Sequence, residues 1–227
     1  MPYLIVIAVI IIIVFLPQFW VNYVLKKYNQ QAESNFPGTG GELARHLLDK
    51  LGLNDIKVET IEHGDHYYPL AKAVRLTPHK YQGKNLTAIT VAAHEVGHAM
   101  QDGLEQPMFR FRTQLAKFTV VAQKLGSFLL FASPFLAIIT RAPAAGAVTL
   151  VAAFLIMGSG LLVNLITLPV ELDASFNKAL PLLKTGYLGK SQYRPAERIL
   201  KAAALTYFAA SLAGLLNFWR WMYLLRR

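Results

Sequence analysis

Residues 91–101 read VAAHEVGHAMQ, two histidines four apart with a glutamate directly after the first. On a helix, His94 and His98 lie one turn apart on the same face, so both imidazoles can reach one metal ion. Glu95, rotated by one residue, is placed to touch a water beside that metal without ligating the metal itself. A catalytic zinc site needs three protein ligands and an open position for water. The motif is therefore one ligand short, and five positions with three specified residues also arise by chance on amphipathic helices. Gly97 argues against chance, because glycine inside a helix is costly unless another element packs closely there.

The chain has no cysteine, so the third ligand must be histidine or a carboxylate. The short metalloprotease pattern that continues into a glycine and a third histidine is absent, with Gln101 and Leu104 at those positions. His46, His63, His66 and His79 lie upstream and read as loop or helix-surface residues. Asp102 and Glu105 follow too closely to fold back easily. Glu171, Asp173 and Glu197 lie further on, and choosing among them requires knowing where the chain returns.

Of the 227 residues, 54% are hydrophobic and 16% charged, which points to a membrane protein rather than an ordinary soluble one. The formal net charge is +10. The basic residues flank apolar runs and form no patch interleaved with aromatics, a pattern of positive-inside loops rather than nucleic-acid binding. Residues 1–25 read as an uncleaved transmembrane anchor with its amino terminus outside: no basic residues precede the run and no small-residue cleavage site follows it. Residues 118–139 and 144–168 read as two further spans, joined by the short turn Thr140-Arg141-Ala142-Pro143 into a tight hairpin. A fourth apolar stretch, 202–225, is weaker because Arg220 lies inside it, and it either spans or rests in the interface.

The Lys and Arg of residues 26–117 and 170–200 put both segments on the cytoplasmic side. Parity then brings Glu171, in TLPVELDAS, out of the hairpin beside the motif. Standing alone, Glu171 reads equally well as an interfacial charge that ends a membrane helix. Beside HEVGH the ligand reading is the better one.

The polar region reads as a small α+β fold. Thr39-Gly40-Gly41-Glu42 is a capping box that opens a helix closed by Gly52. Residues 56–62 and 71–77 have the alternation of short strands, with Pro78 ending the second. Asn85 caps the motif helix, expected over residues 86–101 with Asp102-Gly103 as its stop.

The stretches AAHEVGHAMQ, LPVELDAS and ERILKAAALTYFAA, with TGGELARHLL and VRLTPHKYQGKN upstream, resemble the small bacterial membrane zinc metallopeptidases called YugP-like. These are gluzincin-type proteins, with HExxH and a distant glutamate. The resemblance implies one zinc per chain, with His94, His98 and Glu171 as ligands and Glu95 as catalytic base. Two positions depart from it. Where related gluzincins often carry an aspartate four residues after the ligand glutamate, to orient a ligand histidine, this chain has Ser175. Asp173, two residues after Glu171, is expected to point largely away. Tyr68 stands before Pro69 where the family tends to carry aspartate.

The expected architecture is thus a mostly α membrane protein of three to four transmembrane helices with a small α+β zincin-like cytoplasmic region. Its segments are an anchor (1–25), a region carrying the motif (26–117), a transmembrane hairpin (118–169), a segment carrying the third ligand (170–201) and a carboxyl-terminal helix (202–227). The expected function is peptide-bond hydrolysis in the cell inner (cytoplasmic) membrane, multi-pass, with the active site facing the cytoplasm. Its partners are a polypeptide substrate, membrane proteins among them, and the lipid bilayer, with no nucleic acid. A substrate strand would pair with residues 71–77, and Tyr207, His66 or Arg194 would stabilise the oxyanion. The rival is a membrane scaffold or chaperone with a structural zinc, which has no need of Glu95.

Overall fold

The motif helix forms between the stops that its sequence encodes. In the computed structural model, which describes residues 2–30 and 36–214, helix α4 runs Leu86–Gly103. Asn85 caps it, its side-chain oxygen accepting from the Ala88 amide at 2.9 Å. Upstream, α1 spans Pro2–Gln30 and α2 spans Gly40–Lys50. The capping box of α2 is complete: the Glu42 amide donates to Thr39 Oγ1 at 3.2 Å and the Thr39 amide to Glu42 Oε2 at 2.7 Å. Gly52, at φ +72°, lets the chain leave α2 in a left-handed turn that residues with a Cβ rarely adopt.

Between α2 and α4 lie three strands, β1 (Lys57–Thr60), β2 (His66–Tyr68) and β3 (Ala73–Leu76), and a short helix α3 (Pro78–Tyr81). The sequence led us to expect two strands. The third is built from the loop His63-Gly64-Asp65-His66-Tyr67-Tyr68, whose turn-forming residues hide a pairing only three residues long. β3 pairs in parallel with β1 and antiparallel with β2, giving the order β1-β3-β2. The expected pairing of a substrate with residues 71–77 is thereby corrected, because both edges of β3 are already occupied. The Asp65 carboxylate pins the loop before β2: it accepts from the Thr77 amide at 2.7 Å and the Thr77 hydroxyl at 3.0 Å, and pairs with Lys80 at 2.7 Å.

Beyond α4 the chain continues as α5 (Pro107–Ile139) and α6 (Pro143–Leu172). A π-helical segment, Asp173–Ala179, follows, then α7 (Leu180–Lys184) and α8 (Tyr193–Gly214). The described chain is mostly helical and divides into two units. Among the described residues, one comprises those within 16–110 and 168–206, the other those within 2–15, 111–167 and 207–214.

In the first unit α4 is the central element. Every residue from Leu86 to Ala99 is buried, and so is Gln101. Ala44, Leu47 and Leu48 of α2 are buried in the same unit, as are Val74 and Leu76 of β3. The π-helical segment lies along α4 where Gly97 has no side chain: a Cβ there would stand 2.6 Å from the Ala174 carbonyl oxygen. The close packing inferred from Gly97 is therefore present, and its partner is this segment.

In the second unit, α5 and α6 meet through small residues, and a Cβ on Gly146 would lie 2.6 Å from that of Ala137. Among the described residues, two helical stretches are long and apolar enough to cross a membrane. These are Pro107–Ile139, with mean hydropathy 1.5, and Ser159–Lys184, with mean hydropathy 1.2. Phe118, Val121, Ile138 and Ile139 of α5 are 64%, 66%, 74% and 76% exposed, an apolar face that the described residues leave uncovered. The anticipated fourth span begins within α8, but residues 215–227, including Arg220, lie outside the described residues.

Candidate active site

Three polar side chains from two distant stretches meet in the interior of the first unit. His94 and His98 are 2% exposed, Glu171 is 3% exposed, and Glu95 beside them is 5% exposed. Glu171 Oε2 lies 3.5 Å from His94 Nε2 and 3.1 Å from His98 Nε2. One ligand atom from each of the three lies within 4.8 Å of the others. Tetrahedral ligands at zinc–ligand distances of about 2.0–2.1 Å stand about 3.3–3.4 Å from one another, so the two measured separations bracket the spacing that one shared zinc requires.

The donor chemistry fits as well. Ser175 Oγ donates to the Leu200 carbonyl at 3.2 Å, which commits its only proton, and it lies 3.0 Å from His94 Nδ1. Nδ1 must then be the donor in that contact, and neutral His94 carries its lone pair on Nε2, toward Glu171. A carboxylate oxygen facing an imidazole lone pair in a buried site is repulsive unless a cation sits between them. Two histidines and one carboxylate form a ligand set typical of catalytic zinc, with three protein ligands and a fourth position left for water.

Glu95 is held from the sheet. The Tyr67 amide of β2 donates to Glu95 Oε2 at 2.8 Å. Tyr67 is in turn clipped to the far end of α4, its hydroxyl donating to Asp102 Oδ2 at 2.7 Å, and Lys72 reaches the same oxygen at 3.3 Å. Burial, and then the hydrogen bond and charge of Asp102, hold the Tyr67 hydroxyl well above the ordinary tyrosine range. The buried ring of Phe109 packs against both His98 and Tyr67, with centroids at 5.9 Å and 6.2 Å. It adds an apolar wall that the sequence did not reveal.

The other candidates make contacts of their own. Glu105 pairs with Arg110 at 2.9 Å and Glu197 with Lys184 at 3.2 Å. His46 meets the Tyr187 hydroxyl at 2.8 Å, and His66 Nδ1 the Gly64 carbonyl at 2.9 Å. Arg194 is exposed near the start of α8. Tyr207 belongs to the second unit, where the Arg112 guanidinium stands 5.9 Å from its ring centroid.

Three contacts of Gln101 were not anticipated. Gln101 Oε1 lies 2.9 Å from His98 Nδ1, and its amide nitrogen donates to the Val170 carbonyl at 2.9 Å and to Asp173 Oδ2 at 2.8 Å. Asp173, expected to point away, instead turns one carboxylate oxygen inward. The spacing of Gln101 three residues after His98, on the same helix face, was the available signal.

Compared with known proteins, the chain matches over residues 3–226 a family described as "Putative neutral zinc metallopeptidase". It is 32% identical over 211 residues to a Bacillus subtilis (strain 168) protein named "Putative membrane protease YugP", an alignment covering 90% of this chain and 89% of that one. No solved structure matches. The YugP-like resemblance thus extends over nearly the whole chain, and this protein belongs to the neutral zinc metallopeptidase family.

Proposed function

We propose that this protein is a membrane-embedded zinc metalloendopeptidase of gluzincin plan. One zinc per chain is held by His94, His98 and Glu171, and Glu95 is the general base. The observation that carries this reading is the convergence of three buried ligand atoms within 4.8 Å, beside a glutamate on the same helix as two of them. Zinc in such a site acts as a Lewis acid and lowers the pKa of water to about 7.

The rest of the chemistry belongs to the chain. Glu95, steadied on one oxygen by the Tyr67 amide, takes the proton of the attacking water as it adds to the scissile carbonyl, then delivers that proton to the leaving amine. Ser175 holds His94 in the tautomer that ligation requires. Of the two outer strands, β2 holds Glu95 through the Tyr67 amide. An extended peptide would therefore lie along β2.

The protein sits in the cytoplasmic membrane as a multi-pass protein with three to four spans and its active site toward the cytoplasm. The exposed apolar faces of α5 and α6 support this, as does the basic character of residues 26–117 and 170–201, which flank the hairpin of residues 118–169. The anchor of residues 1–25 and the helix of residues 202–227 complete the arrangement. Its substrates are polypeptides, membrane proteins among them, in keeping with the name carried by its relative.

Purified Glu95→Gln provides the test. We expect unchanged zinc content and a loss of about 10²–10⁴-fold in cleavage of an unfolded membrane protein. Equal cleavage by variant and wild type would refute the assignment and favour a structural zinc.

A further inference from the structure

The two histidines of the motif are held by different means, and the means used for His98 carries information about the metal site. His94 leans on a neutral hydroxyl that donates its hydrogen bond to a backbone carbonyl. His98 leans on the carboxamide of Gln101, which is fully buried. A carboxamide can present either its oxygen or its nitrogen, and the two choices impose opposite tautomers on an imidazole. Here the choice is fixed by what lies behind the amide. Its nitrogen faces two acceptors, the Val170 carbonyl at 2.9 Å and Asp173 Oδ2 at 2.8 Å. A flipped amide would set its oxygen against both, one of them a carboxylate.

We propose that Gln101 and Asp173 form a positioning couple that fixes His98 as the Nδ1–H tautomer, with its Nε2 lone pair toward Glu171. Asp173 locks the amide, and the amide locks the imidazole. Because the carboxylate polarises the amide to which it is bonded, the amide oxygen is a stronger acceptor for the Nδ1 proton, and Nε2 becomes the more basic ligand atom. Asp173 thus does through one intervening side chain what an aspartate touching a ligand histidine does directly. Its carboxylate is itself steadied by Asn177, which donates to its other oxygen at 2.8 Å. Val170, Glu171 and Asp173 then act as one cassette, which supplies a ligand and fixes the imidazole of another.

The proposal rests on the zinc-site reading above, and its test separates the two. Full-length protein in lipid nanodiscs is titrated with zinc against a chromophoric chelator, as wild type, Gln101→Met, Asp173→Ala and the double variant. Methionine keeps the buried volume of glutamine without its amide. We expect Gln101→Met to weaken zinc binding 10–100-fold, Asp173→Ala to weaken it less, and Asp173→Ala to add nothing once Gln101 is gone. In metal-free wild type, imidazole ¹⁵N shifts are expected to show a proton on His98 Nδ1, whether or not Nε2 facing Glu171 carries one as well, and in either single variant a partial loss of that Nδ1 proton. This readout does not depend on zinc, and a purely structural role would leave it unmoved. Gln101→Met with wild-type affinity, Asp173→Ala with the same effect in both backgrounds, or His98 with Nδ1 unprotonated in metal-free wild type would each overturn the couple while leaving the zinc site standing. Wild-type protein that binds no zinc would overturn the site itself, and the couple with it.

Discussion

Gly97→Ala sets two opposed energies against each other at one position. In an isolated helix the change stabilises by about 0.8–1.0 kcal/mol, because glycine forfeits more backbone entropy than alanine. In this structure the new methyl would stand 2.6 Å from the Ala174 carbonyl oxygen and 3.2 Å and 3.3 Å from its carbonyl carbon and Cα. That is roughly 0.8 Å inside ordinary contact with the oxygen. The obstacle is backbone, so no side chain can swing aside, and relief must come from moving the returning segment away from α4. Overpacking of this kind costs about 1–3 kcal/mol, which leaves a net loss of up to about 2 kcal/mol after the gain in helix propensity. The movement is shared by Glu171 and Ser175 on either side of Ala174, so zinc affinity should fall tenfold or more, equivalent to about 1.4 kcal/mol. Zinc competition and thermal unfolding of the metal-free protein measure the two effects separately. Gly52→Ala is the control: at φ +72° with open space around its Cβ, it costs about 1–2 kcal/mol through backbone strain alone and should leave zinc affinity unchanged. A Gly97→Ala protein more stable than wild type, with normal zinc binding, would refute the packing argument.

Ser175→Ala leaves the buried Nδ1 of His94 without its partner, and isothermal titration should show zinc binding 10–100-fold weaker. Glu171→Gln keeps the shape of the third ligand but removes its charge; zinc should be lost on dialysis against a weak chelator that leaves wild type loaded, as read by elemental analysis. The raised pKa of Tyr67 favours the protonated phenol in the folded state, so its contribution is fully present below the unfolded value of about 10 and declines as pH rises above it. Thermal unfolding from pH 8.5 to 11 should therefore show a steeper loss for wild type than for Tyr67→Phe, and parallel curves would contradict the assignment.

The ligand set was legible from spacing and from the pattern of apolar runs. A separation of four residues puts two imidazoles on one helix face, and reading residues 118–139 and 144–168 as a hairpin pointed to Glu171, which does meet them. The caps of α2 and α4 were equally local, each set by a side chain and an amide three residues apart. What escaped was non-local or lacked a compositional signature. β2 is three residues inside a turn-rich loop, and no local pattern could say that β3 would lie between the other two strands. The π-helical winding of Asp173–Ala179 has no characteristic residue types, and it makes angles counted at 3.6 residues per turn unreliable for Asp173. Gln101 was judged only as a failed ligand, although its place on the face of His98 was visible.

The connection of Ser175 to Leu200 bears on how the chain is made. Translation releases His94 and Glu95 long before it releases Glu171, and Ser175 finds its acceptor only when residue 200 has followed. A nascent chain carrying the motif but not yet the later segment has neither the third ligand nor the hydroxyl that orients the first. The order of synthesis therefore withholds the assembled ligand set, and the hydroxyl that orients its first member, until residue 200 has left the ribosome.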